Sequence, residues 1–426
     1  MSTVILHKSL FSLADGCCGP ERMEEKAVPP GRVLWYNQSR HYPHHSGKER
    51  LHMHAYTAAD TLRVAKRYQN PKRSYLLVNP LQAKHIPVSP AASLDMMAAL
   101  GAQVAAAHPE ARLVIGFAET ATAIGAAVAA GLGPDCVYLH TTRELLAGDW
   151  ILFQEEHSHA VEQRLCADQL ATWIEATPTV IFVDDELSTG RTLRNMVRQL
   201  RERFPLLAER QLAAASILSR VSPEDQARLA ADGVACQCLV RLEDRDYDQL
   251  VAPLSVEEAP PPPPGPLPAL NTLSVKAALP DPRRGAGIGA YLDGCRALAE
   301  ELVPALRREL PAGGSLLVLG TEECMYPALA VGAAAEASGH WSAVRCHATT
   351  RSPIGICHEA GYPIQNGVLL PSFYGDGRRT YLYDLAAYDA AVVVTDAPEA
   401  AAAAAHPQLA AALGQRGCPR VYLCEI

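Results

Sequence analysis

From Ser93 onward, short apolar runs alternate with longer stretches in which apolar positions recur at helical spacing. The pattern predicts helices over 94–107, 120–130 and 192–204, and strands over 112–115, 136–140, 180–183 and 211–218. Between them it predicts a loop to about residue 162 and a helix from there to Ile174. Such alternation means βαβ units and an α/β fold with a doubly wound parallel sheet. Gly116, Thr141 and Asp184 then fall at the carboxyl ends of strands, where open α/β sheets bind ligands. Ahead of this region the strand-like run Tyr75–Val78 is flanked by proline-broken basic segments, 67–73 and 79–87. That arrangement suits a small antiparallel subdomain presenting Lys84 and His85 from a turn.

Punctuation divides the chain. Residues 256–268 include five consecutive prolines and read as a stiff, extended linker. The expected organisation is an N-terminal tail over 1–35, a first domain over 36–255, the linker, and a second domain over 269–426. Gly285, Gly287 and Gly289 mimic a dinucleotide turn, but no strand precedes them, so the segment reads as a loop.

Composition narrows the function classes. A chain of 426 residues with 49% hydrophobic and 20% charged residues is an ordinary globular protein, long enough for two or three domains. Its net charge of -8 argues against a general nucleic-acid surface. The alanine-rich runs are broken by Gly, Pro and charges, so no membrane partner is expected, and no secretory signal is evident. The 12 cysteines are scattered without a C-x-x-C pair, which suits reduced thiols and a cytoplasmic location. His41, His44, His45, His52 and His54 cluster without a carboxylate or cysteine at ligand spacing and read as a polar loop.

The chemistry concentrates in residues 181–192. The buried run Val180–Val183 ends on Asp184 and Asp185, and a small-residue turn, Ser188-Thr189-Gly190, leads into the helix starting near Thr192. Backbone N–H groups of such a turn, with the positive helix end behind them, suit a phosphate monoester. The adjacent carboxylates can accept hydrogen bonds from vicinal sugar hydroxyls. The combination describes a ribose 5-phosphate site. A P-loop is excluded, since the chain has no G-x-x-x-x-G-K-[ST].

This stretch resembles the phosphoribosyl-pyrophosphate (PRPP) signature of type I phosphoribosyltransferases. The resemblance implies that Asp184 and Asp185 hold the ribose 2′- and 3′-hydroxyls and, mostly through PRPP and water, Mg²⁺. It implies that Glu186, Ser188, Thr189, Gly190, Arg191 and Thr192 surround the 5′-phosphate. The turn Gly116-Phe117-Ala118-Glu119-Thr120 stands where that family places its pyrophosphate loop, with Gly116, Ala118, Glu119 and Thr120 as ligand contacts. Glu119 is odd there, because a carboxylate repels pyrophosphate; contact with Mg²⁺ through water, or with the acceptor, is the expectation. Thr141-Thr142-Arg143-Glu144 matches a turn whose cation contacts the leaving group, so Arg143 takes that role. The segment 155–159 would be a lid, with His157, His159 or Arg164 replacing the lysine of orotate-type lids. The 67–87 region corresponds to the hood, which makes Lys84 and His85 ligand candidates. Purine enzymes place an acid where Ser188 stands, so the resemblance does not extend to a 6-oxopurine acceptor.

A narrower likeness follows from Asn70-Pro-Lys-Arg73, Lys84-His-Ile-Pro87 and the motifs above, together with Thr350-Arg351-Ser352-Pro353, Leu319–Glu323 and Tyr374–Gly377. The chain is similar to the phosphoribosyltransferases of bacterial tellurite-resistance and stress operons, which are fused to a C-terminal TRSP domain. That likeness implies a Mg-dependent, PRPP-using transferase that makes or cleaves a nucleoside-like metabolite. Its partners would be a small-molecule base or nucleotide, a second copy in a homodimer, and other stress-operon proteins. A PRPP-binding regulator without turnover is the alternative.

The chain also echoes itself. Leu113–Glu119 parallels Leu317–Glu323, His140–Arg143 parallels Ala348–Arg351, and Val180–Asp185 parallels Val392–Asp396. From Gly116 to Thr141 is 25 positions and from Gly320 to Thr349 is 29. The second domain is therefore read as a degenerate copy of the first sheet, an idea that unlike strand orders would end. Its phosphate turn is replaced by Ala397-Pro-Glu-Ala400, leaving Glu322, Glu323, Thr350, Arg351 and Ser352 as a second-domain ligand set.

Overall fold

The computed structural model describes residues 55–426 except 71, 154–162, 266 and 376. The histidine cluster, the tail over 1–35, His157 and His159 lie outside the described residues.

In the first half, β1 (Arg63–Lys66) and β2 (Tyr75–Val78) form the expected antiparallel pair. The main sheet follows: β3 (Leu113–Gly116), β4 (Val137–His140), then the antiparallel hairpin of β5 (Trp150–Phe153) and β6 (Gln163–Cys166), then β7 (Thr179–Leu187), β8 (Gln211–Ser219) and β9 (Val234–Arg241). Helices Pro90–Ala107, Thr122–Leu132, Arg191–Arg203 and Pro223–Ala231 connect these strands. Five strands of the sheet run β4-β3-β7-β8-β9, all parallel, and a short antiparallel strand from the second half, Ala286–Gly287, adds at the β4 edge. All four residues of β3 are buried, which is why the strand appears in the sequence as an unbroken apolar run. The helix Arg191–Arg203 is sided instead: Leu193, Met196, Val197 and Leu200 face the sheet, and it stops just before Pro205.

The second half contains β10 (Ala269–Thr272), β11 (Ala286–Gly287), β12 (Ser315–Gly320), β13 (Ala343–Ala348), the hairpin β14 (Gly367–Pro371) and β15 (Arg379–Tyr383), β16 (Ala390–Thr395) and β17 (Arg420–Glu425). Its sheet runs β13-β12-β16-β17-β10, again all parallel. Position for position, β12, β13, β16 and β17 repeat β3, β4, β7 and β8, and each half has an antiparallel hairpin between the second and third of these strands. The strand orders are therefore alike. The outer strand differs in origin, since β9 follows β8 in the chain whereas β10 precedes its whole half.

The two halves share one apolar core, in which Val114 and Ile181 of the first sheet and Val318 and Val392 of the second belong to the same buried cluster. The inner helices that fill it approach closely. A Cβ on Gly131 would lie 2.9 Å from the Gly101 carbonyl carbon, so only glycine fits where these helices cross. The proline segment lies along the second half, with Leu369 N donating to Pro260 O (2.8 Å) and Gln415 Nε2 to Pro263 O (3.0 Å).

Two sequence expectations differ from this fold. The region expected as a loop and then a helix from about 162 to 174 contains the β5–β6 hairpin and a shorter helix, Leu170–Ala176. The hairpin strands are four residues each and separated by a charged segment, so no periodicity marks them. Gly285–Gly289 is not a loop: Ala286–Gly287 pairs antiparallel with β4, and the 22-residue helix Ile288–Glu309 begins directly after.

Beneath the interface of the halves lie two buried imidazoles. His347 Nδ1 accepts from Ala348 N and its Nε2 faces Tyr383 O at 2.7 Å, while among the described residues neither ring nitrogen of His85 has a protein partner. Burial pulls His85 down to about 3 and His347 to about 4. In the unfolded chain both would titrate near the ordinary value of 6.5. Their contribution to stability is therefore complete above pH 6.5 and is lost as pH falls toward those folded values. Thermal midpoints measured against pH should begin to fall below about pH 6.5. A His85→Leu variant should lose part of that slope, because leucine binds no proton in either state.

Candidate functional site

The carboxyl end of β7 carries Asp184 and Asp185, both partly exposed at the sheet edge. Asp185 N donates to Asp184 Oδ1 (2.9 Å), and Thr120 Oγ1 donates to Asp185 Oδ1 (2.9 Å). Thr120 thus ties the loop after β3 to the acid pair. Beyond the pair, Gly190 adopts φ +69° to cap the helix Arg191–Arg203, and a Cβ there would lie 2.7 Å from Leu229 Cδ1. Both the turn and the close approach require glycine. Among the described residues, the amides of Ser188, Thr189, Gly190 and Thr192 donate to no protein group, and Arg191 N donates to Thr189 Oγ1 (3.4 Å). These amides, with Phe117 and Asp184, line one cavity. Unsatisfied donors around the N-terminus of a 13-residue helix form an anion cradle.

The loop after β3 is held from both sides. Phe117 N donates to Val183 O (2.9 Å), Ala118 N to Thr141 Oγ1 (2.8 Å), and Gln163 Nε2 to Ala118 O (3.0 Å). Among the described residues the amides of Glu119 and Thr120 have no acceptor. The loop therefore has two further donors next to the Thr120 hydroxyl that bonds Asp185.

Glu119 turns the other way, into the second half. Its Oε1 accepts from Thr350 Oγ1 (2.6 Å) and Arg351 N (3.0 Å) and lies 3.1 Å from Lys84 Nζ. Burial alone would raise its carboxyl, but Lys84 and Arg351 hold it down at about 2. This accounts for a carboxylate in a loop suited to anions, since its charge is neutralised inside the protein. Lys84 is itself fully buried and donates to Glu322 O (2.8 Å) and Thr349 O (3.0 Å), so its three N–H groups all have protein partners. The expected turn does exist, but Lys84 and His85 face inward rather than toward the sugar end. Glu186 is similarly engaged, by Arg73 Nη2 (2.6 Å) and Arg220 Nε (3.0 Å), which together outweigh burial and hold its carboxyl below the usual range.

The residues chosen for a second-domain ligand are brought together, but against the first half. Glu323 accepts from Thr142 Oγ1 (2.7 Å), Arg143 N (3.0 Å) and Arg283 Nε (2.8 Å). Burial would raise its carboxyl, yet Arg283 above all holds it at about 2. Glu322 accepts from Ser372 Oγ (2.7 Å) and pairs with Arg351, which also pairs with Glu144. Ser352 N donates to Thr350 Oγ1 (3.2 Å). At the end of β16, Asp396 occupies the place that Asp185 has at the end of β7, with Thr395 where Asp184 stands, and there it is bound by Arg283 Nη1 and Tyr374 Oη. Sequence reading missed Arg283 and also Arg378, which pairs with Glu144. Glu144 and Tyr374 stood within quoted motifs but were given no role, and Arg283 was visible only as the first of two arginines set among Pro and Gly.

Comparison with known proteins gives two adjoining matches. Residues 61–243 match the family model of a phosphoribosyl transferase, and residues 290–413 match that of the TRSP domain found C-terminal to it. No curated protein matches the chain. Similar solved structures include the adenine phosphoribosyltransferase of Giardia lamblia bound to 9-deazaadenine, with 18% identity over 44% of this chain and 97% of that one and a TM-score of 0.31. That of Saccharomyces cerevisiae has 18% identity over 41% and 93%, with a TM-score of 0.29. The orotate phosphoribosyltransferase of Aeropyrum pernix has 18% over 38% and 76%, with a TM-score of 0.24.

Proposed function

We propose, from the premise that this chain is a phosphoribosyl transferase domain followed by a TRSP domain, that it uses PRPP and Mg²⁺ to make or cleave a nucleoside-like metabolite. The observation that carries this reading is the meeting of three features at one sheet edge. They are the Asp184–Asp185 pair, the amides of Ser188, Thr189, Gly190 and Thr192, which have no acceptor among the described residues, and the loop that Thr120 fastens to Asp185.

In this reading Asp184 and Asp185 accept hydrogen bonds from the ribose hydroxyls, and the turn amides receive the 5′-phosphate. The amides of Glu119 and Thr120 and the Arg143 guanidinium face the pyrophosphate. As the anomeric carbon–oxygen bond breaks, positive charge develops on the sugar and negative charge on the departing pyrophosphate, and these donors act on the latter. Among the described residues no group of three or more His, Cys, Asp or Glu could hold a metal by itself. Mg²⁺ would therefore be held by Asp184 and Asp185 through PRPP oxygens and water, where it would neutralise the pyrophosphate. The resemblance to stress-operon enzymes adds a role in tellurite or general stress response and a cytoplasmic location. Among the described residues no helix is long and apolar enough to cross a membrane.

The test is pyrophosphate release from PRPP in the presence of a panel of bases, with Arg143→Ala alongside. The variant should lower kcat by about a hundredfold or more with little change in KM, as removal of a donor specific to the transition state does. Normal turnover by Arg143→Ala would remove it from the leaving-group role. PRPP binding with no turnover on any base would make the chain a PRPP-binding regulator instead.

A further inference from the structure

The interface between the halves repeats itself, contact for contact. Glu119, after β3, accepts from Thr350 Oγ1 (2.6 Å) and Arg351 N (3.0 Å), which follow β13. Glu323, after β12, accepts from Thr142 Oγ1 (2.7 Å) and Arg143 N (3.0 Å), which follow β4. Inside each half the preceding threonine braces its own loop: Ala118 N donates to Thr141 Oγ1 (2.8 Å), and Glu322 N to Thr349 Oγ1 (3.0 Å). Each turn also bridges to its own hairpin, Thr142 to Arg164 and Thr350 to Tyr381. Each glutamate receives one buried cation from the segment before its half's first long helix, Lys84 at 3.1 Å and Arg283 at 2.8 Å. The halves face each other as a two-fold pair made within one chain, each holding the other's loop.

The symmetry fails at the ligand end. In the first half Asp184 and Asp185 stand at an open edge before free turn amides. In the second half Asp396 is closed off by Arg283 and Tyr374, and the turn leads into only a four-residue helix, Glu399–Ala402. One site is open and its counterpart is filled by the protein's own guanidinium.

We propose that Thr350 and Arg351 of the second half are positioning residues for the open site. By clasping Glu119 they fix the loop 116–120 with its two unpartnered amides toward the pyrophosphate of the substrate. This rests on the PRPP reading and assigns the second half a role in it. The clasp acts from behind, on the side chain of Glu119, while Thr120 next to it bonds Asp185 at the front. A displaced Glu119 would carry the donors out of register with the acid pair, whereas the cradle at 188–192 lies after β7, the next strand of the sheet, and is built from its own turn.

The test uses the full chain with Thr350→Val, which keeps the side-chain shape and removes the hydroxyl that donates to Glu119 and accepts from Ser352 N; Arg351 holds Glu119 through its backbone amide, which a change of side chain leaves in place. PRPP and ribose 5-phosphate are each titrated with Mg²⁺ present. PRPP affinity should fall about tenfold or more, roughly 1.4 kcal/mol, while ribose 5-phosphate, which lacks the pyrophosphate, should bind as before. A parallel loss for both ligands, or no loss for PRPP, overturns the proposal. Amide hydrogen exchange supplies a readout that needs no ligand. In Thr350→Val, exchange at the hydrogen-bonded amides of Phe117 and Ala118 should rise while that within the helix Arg191–Arg203 stays unchanged, and unaltered exchange at 117–118 overturns the clasp. Wild-type protein that binds neither ligand would instead refute the PRPP reading, with the clasp still judged by exchange.

Discussion

Replacing Arg283 by methionine is expected to destabilise the fold by about 3–5 kcal/mol, the cost of leaving a buried charge without its partner. The Arg283 guanidinium is buried and lies against Glu323, Asp396 and Tyr374 at once. Without it, Glu323 keeps two donors from the first half but loses its cation, and Asp396 faces Tyr374 alone. Burial then raises the Glu323 carboxyl, and the interface must either take up a proton or open. The measurement is the guanidinium chloride midpoint beside that of Arg228→Ala. Arg228 pairs with Glu224 and Asp225 on an exposed helix face, where a salt bridge contributes at most about 1 kcal/mol. Adding Asp396→Asn to Arg283→Met should recover part of the loss, since it removes one stranded charge. Equal midpoints for Arg283→Met and Arg228→Ala would mean that the filled second site does not hold the halves together.

Valine at Gly190 should abolish binding of ribose 5-phosphate, by about a hundredfold or more, equivalent to roughly 3 kcal/mol. At φ +69° a β-branched residue is strained, and the new Cβ would press on the buried side chain of Leu229. Relief requires the turn to move, and the turn carries the free amides. The same movement would weaken the packing of the helix Arg191–Arg203 on the sheet, so a fall in thermal midpoint should accompany the lost binding. Gly265→Ala is the comparison: it has open space around it and no positive φ, and it should leave both quantities unchanged. Calorimetry with ribose 5-phosphate reads the first effect and a thermal melt the second. Undiminished binding by Gly190→Val would place the phosphate elsewhere.

What could be read from the sequence was what is local. Strands β3, β7 and β8 are buried on both faces, so they stand out as apolar runs. The acid pair, the turn and the helix start lie within one dozen consecutive residues, and their geometry follows from that order. The self-echo was also visible, because the repeated motifs occupy the same places in two sheets of like strand order. The roles of Lys84, Glu119 and Glu186 were hidden, because each is decided by a partner far along the chain. Glu119 meets Thr350 and Arg351, Lys84 meets Glu322 and Thr349, and Glu186 meets Arg73 and Arg220. A charged residue beside a glycine turn reads as a ligand contact until the fold places an opposite charge next to it. For Glu119 it comes from Lys84 and from Arg351 of the other half, and for Glu186 from Arg73 and Arg220.

The central claim is that Asp184 and Asp185 with the adjoining turn form a PRPP site. Its most direct test is calorimetric titration of PRPP into the full chain, with and without Mg²⁺, beside the double variant Asp184→Asn, Asp185→Asn. Both side chains are partly exposed at the sheet edge, so the variant should stay folded, with a stability change of about 1 kcal/mol or less. The account predicts saturable binding that requires Mg²⁺ and disappears in the variant. No binding by the wild type, or equal binding by a folded variant, would contradict it.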